Sequence, residues 1–195
     1  MPRLFTGIEI PRDVADRLSY LRGGLAGARW ITPEHYHLTL RFIGDVDMLA
    51  AEAAAEGLAR VNRRAFPLRF TGLGALGTKK PHAVVAEVET SQPLMELQAE
   101  HERILQRTGL APDGRKYTPH VTLARVRGGS ERDIAEYLTT RGGFFSTPFT
   151  VERFVLFSSR DSVGGGPYVV EEAYDLAPAA LTPRSDDDRG RAWQG

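Results

Sequence analysis

The sequence predicts an α+β fold with mainly antiparallel sheets. Segments with strand and helix patterns follow one another without the regular alternation that a doubly wound parallel sheet requires. Hydrophobic residues make up 42% of the 195-residue chain and charged residues 26%, which is typical of a globular protein and not of a disordered one. The chain has no cysteine, so disulfides, thiolate metal sites and cysteine chemistry are excluded.

The individual elements are predicted from apolar periodicity and from the turn residues between them. Strands are predicted at Leu4–Glu9, Ala28–Ile31, His37–Ile43, Phe66–Leu76 (bent at its glycines), His82–Glu89, His120–Arg125, Phe149–Ser158 and Tyr168–Leu176. Helices are predicted after Pro11 and at Met48–Val61, Leu94–Thr108 and Glu131–Thr139. A polar, charged tail at residues 182–195 is expected to be mobile, which leaves a single domain over residues 1–181.

Charge and hydropathy limit the partners of the protein. The 25 basic and 25 acidic side chains cancel, so only a local basic patch would attract a polyanion. No apolar stretch approaches the roughly 20 residues that span a bilayer, and the N-terminus lacks the apolar core of a signal peptide. We expect a monomer in the cytoplasm, with no membrane contact and no protein partner.

Two short motifs repeat in the chain. His37-Leu38-Thr39-Leu40 and His120-Val121-Thr122-Leu123 each lie on a predicted strand that is soon followed by a helix. Their placement, one in each half of the chain, predicts two similar lobes with one motif each.

Strand alternation gives each motif one polar and one apolar face. In the first motif Leu38, Leu40 and Phe42 are expected to face a core, while His37 and Thr39 share the other face. The second motif has the same pattern, with its histidine and threonine, His120 and Thr122, on the open side.

This pattern suits acid–base chemistry on a phosphodiester. One neutral imidazole would take a proton from an attacking water, and the other, protonated, would give one to the departing oxygen. The hydroxyls of Thr39 and Thr122 would stabilise charge on the phosphoryl oxygens. The spacing alone does not say which histidine is the acid. The alternative, that His37 and His120 are ordinary half-buried strand residues, is less consistent with two matching motifs.

A metal site is a rival interpretation of the first motif. His35 and His37 would point the same way in a strand, and Glu34 and Asp45 are nearby carboxylates. No third ligand has a recognisable spacing, so we expect neither a metal nor a cofactor.

The motifs resemble those of the 2H phosphoesterase superfamily, and within it the RNA 2′,3′-cyclic phosphodiesterases, also called 2′-5′ RNA ligases. The matching segments are His35-Tyr36-His37-Leu38-Thr39-Leu40-Arg41-Phe42-Ile43-Gly44 and Tyr117-Thr118-Pro119-His120-Val121-Thr122-Leu123-Ala124-Arg125. The resemblance implies a bilobal α+β fold in which two sheets flank a central groove with helices outside. It implies hydrolysis of terminal 2′,3′-cyclic phosphates on RNA to 2′-phosphates, with 2′-5′ ligation as a side activity. It also implies that His37 is the proton donor and His120 the acceptor.

Three further residues are candidate substrate contacts: Arg125, Tyr117 and Phe42. Arg125 would reach a phosphate, although strict alternation places it on the core side with Leu123 unless it sits at a strand end or forms a salt bridge elsewhere. Tyr117 would stack on a base or pack in the core. Two other functions stay open, namely a phosphodiesterase for small cyclic phosphates such as ADP-ribose cyclic phosphate or a cyclic nucleotide, and a non-catalytic nucleotide-binding module.

Overall fold

The computed structural model describes residues 3–77, 80–128, 130–159 and 167–179. The described strands are β1 (Arg3–Glu9), β2 (Ala28–Trp30), β3 (His37–Asp45), β4 (Phe66–Leu68), β5 (Phe70–Leu76), β6 (Ala83–Val88), β7 (His120–Val126), β8 (Phe149–Val151), β9 (Arg153–Ser159) and β10 (Tyr168–Asp175). The described helices are α1 (Arg12–Ser19), α2 (Met48–Leu58), α3 (Gln92–Arg107) and α4 (Glu131–Arg141), with a 3₁₀ turn at Pro33–His35. The predicted tail lies outside the described residues, and the extent of the domain stays a prediction.

Most strands join one large sheet. Its order is β10-β9-β1-β3-β7-β6-β5, with β2 beside β7, while β4 and β8 form a separate two-stranded sheet. All the pairings between these strands are antiparallel. The predicted α+β class with mainly antiparallel sheets is confirmed.

The large sheet consists of two halves that meet at one point. β3 and β7, the strands that carry the two motifs, contact each other through the single register pair Leu38 and Val121. On one side of this junction lie β1, β9 and β10, and on the other lie β6 and β5. The two motif strands therefore form the inner edges of the two half-sheets, which brings the motifs together.

Two segments predicted as single strands are each divided in two. The prediction for Phe66–Leu76 is wrong at Arg69, where the chain leaves β4 and enters β5, and Phe149–Ser158 divides at Glu152 in the same way. β4 and β8 pair with each other outside the main sheet. Because Phe66, Leu68 and Phe70 are all buried, the alternation continues through the change of sheet and hides it in the sequence.

The helices cover the apolar side of the sheet. α3 presents fully buried Leu94, Leu97 and Leu105 to the core and packs against β3 and α2. His101 of α3 is also fully buried, and its Nδ1 lies 2.9 Å from Thr6 Oγ1. Burial lowers the pKa of His101 to about 3. No helix in the described ranges is long and apolar enough to cross a membrane.

Candidate active site

The junction of β3 and β7 brings the two motifs into contact. Because Leu38 pairs with Val121, the neighbouring residues point to the opposite face, and the histidine of each motif lies beside the threonine of the other. This surface, called the open face below, carries four half-buried side chains: His37, Thr39, His120 and Thr122. The two imidazoles are diagonal neighbours in this register; in a regular antiparallel pair such positions are about 7–8 Å apart, with the Cβ atoms somewhat closer. Such a gap suits a phosphoryl group held between them.

Each histidine is oriented by the backbone two residues before it. His37 Nδ1 lies 2.8 Å from the carbonyl oxygen of His35, and His120 Nδ1 lies 2.7 Å from that of Thr118. A carbonyl oxygen only accepts, so Nδ1 carries the proton in both rings. Nε2 is then the atom that takes or gives a proton, as acid–base chemistry requires.

Both motif strands contain a bulge at the leucine of the motif. Thr6 pairs with Arg41 and Gly7 with Thr39, which leaves Leu40 as the extra residue in β3. In β7, Val84 and Val85 pair with Ala124 and Thr122 and leave Leu123 extra. A bulge moves the following residues to the other face, so alternation reverses after the leucine in both strands.

The first bulge overturns the expected orientation of Phe42. Phe42 is 47% exposed and does not face the core, whereas Arg41 is 7% exposed and takes the buried position. Phe42 therefore shares the open face with His37 and Thr39. There it contacts the ring of Phe5, with 5.8 Å between centroids.

The second bulge explains Arg125. This residue is exposed one position before the end of β7 at Val126, so the core-side orientation that strict alternation predicts is wrong. The extra residue at Leu123 turns Arg125 to the open face, with His120 and Thr122. The positive charge of Arg125 acts on His37 and contributes to lowering its pKa.

Aromatic rings enclose His37. Its ring centroid lies 4.9 Å from that of Phe5, 5.4 Å from that of Phe157 and 4.8 Å from that of Tyr168. Gly7 makes room for this arrangement, because a Cβ there would lie 3.2 Å from Phe157 Cε2. Burial, opposed by the hydrogen bond to the carbonyl of His35, lowers the pKa of His37 to about 4. The ligand-free protein therefore keeps this imidazole neutral at pH 7. These rings come from strands distant in sequence, so the pattern around the motif does not predict them.

The surroundings of His120 are open and charged. His120 lines a cavity of about 240 Å³ together with Phe42, Lys116 and Tyr117. Arg115 lies over the ring of Phe42, 5.9 Å from its centroid. On the other side, Glu87 of β6 pairs with His120, and its carboxylate lies over Gly74, where an added Cβ would displace it.

Tyr117 connects the two motifs. Its hydroxyl donates a hydrogen bond to the carbonyl oxygen of Thr39, 3.1 Å away, and burial raises the pKa of the phenol. The ring packs against the hydrophobic core and also lines the cavity beside His120. The sequence left two roles open for Tyr117, stacking on a base or packing in the core, and packing in the core is the one observed.

A buried arginine holds the loop before the second motif. Arg41 donates hydrogen bonds to Glu102 and to the carbonyl oxygen of Ala111. Glu102 in turn accepts from the backbone N–H of Asp113, 3.0 Å away. This network ties the chain that leads to His120 onto β3 and α3. The sequence does not predict this network, because strand alternation assigns Arg41 to the exposed face.

The rival metal interpretation has little support from the geometry. His37 Nδ1 is occupied by the carbonyl of His35, and the His35 ring packs edge-on against Tyr168, with centroids 5.6 Å apart. Within the described part of the chain, no three metal-ligating side chains cluster.

Comparison with known proteins identifies the family. The model of the 2′-5′ RNA ligase superfamily matches residues 10–162. The RNA 2′,3′-cyclic phosphodiesterase of Thermotoga maritima is 32% identical over 176 residues, which cover 86% of this chain and 92% of that protein. The one from Aquifex aeolicus is 29% identical over 168 residues, which cover 83% and 89%.

The fold is shared with solved structures as well. E. coli LigT complexed with 3′-AMP matches with a TM-score of 0.74 at 22% identity, covering 90% of this chain and 99% of that one. The resemblance stated from the two motifs is confirmed. The chain belongs to the 2′-5′ RNA ligase superfamily and is an enzyme of the phosphoesterase type.

Proposed function

We propose that the protein hydrolyses terminal 2′,3′-cyclic phosphates on RNA to 2′-phosphates, with His37 and His120 as the acid–base pair and without a metal. The observation that carries the proposal is the arrangement of two histidine–threonine pairs across the β3–β7 junction, with both imidazoles oriented by the same kind of backbone hydrogen bond. The relatives named RNA 2′,3′-cyclic phosphodiesterase support this choice of substrate.

The proposed reaction is an in-line displacement at phosphorus. His120 Nε2 takes a proton from water as the water oxygen bonds to phosphorus, and the bond from phosphorus to the ribose O3′ breaks. His37 Nε2 gives its proton to O3′, which leaves the phosphate on O2′. Thr39 and Thr122 donate hydrogen bonds to the non-bridging oxygens, where negative charge increases.

The assignment of His37 as donor sets a condition on substrate binding. With a pKa of about 4, His37 is neutral in the free protein at pH 7. A bound phosphate brings negative charge next to a poorly solvated imidazole, which raises the pKa of that imidazole. The substrate thus helps to protonate its own acid.

The test is hydrolysis of an RNA ending in a 2′,3′-cyclic phosphate with EDTA present, followed by identification of the product phosphate. We expect a 2′-phosphate from the native protein and from His82→Ala, which changes an exposed histidine outside the site. His37→Ala and His120→Ala should lose the activity. A 3′-phosphate product, full activity in both site variants, or a loss of activity with EDTA would contradict the proposal.

The alternative substrate is a small cyclic phosphate. The same assay is run with ADP-ribose 1″,2″-cyclic phosphate and a 2′,3′-cyclic mononucleotide and compared with the RNA substrate. An enzyme that acts on RNA ends should have a higher kcat/KM for the RNA than for either small compound. The open, charged surroundings of His120 favour the longer substrate.

A further inference from the structure

A carboxylate lies on the open face, on the far side of the second motif from β3. Glu87 of β6 is directly opposite His120 of β7 in the antiparallel register. Residues that face each other in such a pair point to the same side of the sheet, so Glu87 shares the open face with His120. The next pair, Ala86 and Val121, is fully buried and points to the core. Glu87 itself is exposed and can contact a substrate bound on this face.

Two glycines allow the side chain of Glu87 to lie flat on the neighbouring strand. Gly72 pairs with Glu87 across β5 and β6, and Gly74 lies two residues further along β5. A Cβ at Gly74 would lie 3.0 Å from Glu87 Cδ, and a Cβ at Gly72 would lie 3.8 Å from Glu87 Oε2. The carboxylate therefore rests over the bare backbone of β5.

This position lies beside the place where the cyclic phosphate is proposed to bind. Gly74 is in the same row of the sheet as Thr122, because both residues pair with Val85. Two strand spacings, about 10 Å, separate Gly74 from Thr122. A ribose and its nucleobase span such a distance. A nucleotide whose phosphate contacts Thr122 can therefore place its nucleobase at Glu87.

The charge of Glu87 limits what can bind there. Within the described ranges Glu87 forms no ion pair, whereas Glu89, two residues further along the chain, pairs with Arg69. A carboxylate accepts hydrogen bonds and does not donate them, and it repels phosphate oxygens. The part of the substrate that contacts Glu87 must therefore be a neutral hydrogen-bond donor.

Guanine meets this requirement best among the four nucleobases of RNA. Proteins read an unpaired nucleobase on its Watson–Crick edge. In guanine this edge carries two adjacent donors, the N1–H and the N2 amino group, which match the two oxygens of a carboxylate. Adenine and cytosine each have one amino group beside an acceptor nitrogen. Uracil has one N–H between two carbonyl oxygens, which a carboxylate repels.

We propose that Glu87 binds the Watson–Crick edge of the terminal nucleobase and gives the protein a preference for guanine at the RNA end. This inference rests on the proposed function. It makes Glu87 a specificity-determining residue that takes no part in the proton transfers, because its carboxylate lies over β5.

The experiment uses short RNAs that end in a 2′,3′-cyclic phosphate and differ only in the terminal nucleobase: guanine, hypoxanthine, adenine, cytosine or uracil. Each is assayed with the native protein, Glu87→Gln and the control Glu52→Gln, which changes an exposed glutamate of α2. The native protein and the control should have an about 10- to 30-fold higher kcat/KM for guanine than for uracil. Hypoxanthine, which lacks the amino group, should fall between them.

The variant Glu87→Gln should lose this discrimination. Its ratio of kcat/KM for guanine to that for uracil should fall close to one through a higher KM for the guanine substrate, because the contact is made in the ground state as well as in the transition state. The value of kcat/KM for the uracil substrate should not fall.

A second variant keeps the carboxylate and moves it. Gly74→Ala places a methyl group where the end of the Glu87 side chain lies, and this flexible side chain can shift, so the variant should fold. The ratio for guanine over uracil should fall in Gly74→Ala, with kcat for the uracil substrate unchanged. An unchanged ratio would contradict the position of the carboxylate that the inference requires.

The outcomes separate the two proposals. A native ratio near one, a ratio that is unchanged in Glu87→Gln, or a preference for another nucleobase would overturn the inference and leave the proposed function standing. An equal loss on all five substrates in Glu87→Gln would assign the contact to the ribose, and this too would overturn the inference.

Failure of the proposed function has a different signature. Hydrolysis of none of the five RNAs by the native protein would contradict it. Calorimetric binding of RNAs that end in guanosine or uridine 2′-phosphate then still tests Glu87, since Glu87→Gln should weaken binding of the guanosine compound only. Equal binding of both compounds by the native protein would overturn the inference.

Discussion

The two halves of the site share a local structure but differ in their surroundings. Over the first six residues from the histidine, β3 and β7 have the same succession of buried and exposed side chains. They also share the bulge at the leucine and the hydrogen bond from Nδ1 to a carbonyl. Around His37 lie three aromatic rings, whereas His120 opens onto a cavity with Lys116. The motif therefore sets the geometry of each histidine, and the neighbouring strands set its electrostatics.

The position five residues after each histidine shows the same contrast. Phe42 and Arg125 occupy equivalent places, since each follows its motif bulge and reaches the open face. Phe42 offers an apolar ring, whereas Arg125 offers a positive charge. The half-sites are thus suited to unequal roles, with a desolvated imidazole on one side and positively charged side chains on the other.

The largest expected effect separates the acid from the base. His37→Ala and His120→Ala should each reduce kcat on a cyclic phosphate by about 10²- to 10⁴-fold. On a 4-nitrophenyl phosphodiester, whose leaving group departs without a proton, His37→Ala should recover most of its loss and His120→Ala should not. Recovery in His120→Ala alone would reverse the assignment of roles.

The next effect concerns stability at low pH. The pKa of His37 is about 4 when folded and ordinarily 6.5, so the unfolded chain binds a proton first as the pH falls. Keeping His37 neutral in the folded protein therefore contributes stability that is complete above about pH 6.5 and is lost between pH 6.5 and 4. Between pH 7 and pH 5 the loss amounts to about 2 kcal/mol of unfolding free energy. Urea unfolding at both pH values should show this loss reduced in His37→Asn.

Substitution of an exposed residue that does not titrate provides the control for the unfolding experiment. Met48→Ala, on the surface of α2, should keep the pH dependence of the native protein. His101 is buried with a pKa lowered to about 3, so it contributes a further loss in the same direction that remains in His37→Asn. An identical pH dependence in His37→Asn and the native protein would show that the aromatic rings do not desolvate His37.

A smaller effect is expected at the two hydroxyls. Thr39→Val and Thr122→Val remove one hydrogen-bond donor each with little change in shape, and each should lower kcat about tenfold with less effect on KM. Thr139→Val, on the exposed face of α4, is the matched control. If KM rises and kcat is unchanged, the hydroxyls bind the ground state and not the transition state.

The smallest effect tests the aromatic enclosure directly. Tyr168→Ala removes a ring whose edge contacts His37 and admits water, which should raise the pKa of His37 by about half a unit. An NMR titration of the imidazole measures this value, with Tyr20→Ala, an exposed tyrosine after α1, as the control. No change in Tyr168→Ala would assign the lowered pKa to Phe5 and Phe157.

Local pattern predicted much of the fold but failed where strands changed register or sheet. The helices at Met48–Leu58, Gln92–Arg107 and Glu131–Arg141 were predicted within a few residues, because their periodicity is local. The break at Arg69 was missed because the apolar alternation continues across it. The orientations of Phe42 and Arg125 were missed for a related reason, since a bulge depends on the partner strand and has no signature in these residues.

The sequence by itself determined the family of the chain and predicted the chemistry proposed for its site. Two histidine–threonine pairs on strands are a property of residue type and short spacing, and both can be seen without a structure. Only the tertiary structure decided how the halves differ: β1, β9 and β10 surround His37 with aromatic rings, and β6 sets Glu87 opposite His120. The physical reason is that desolvation and charge pairing depend on neighbours in space, and these neighbours come from parts of the chain far from either motif.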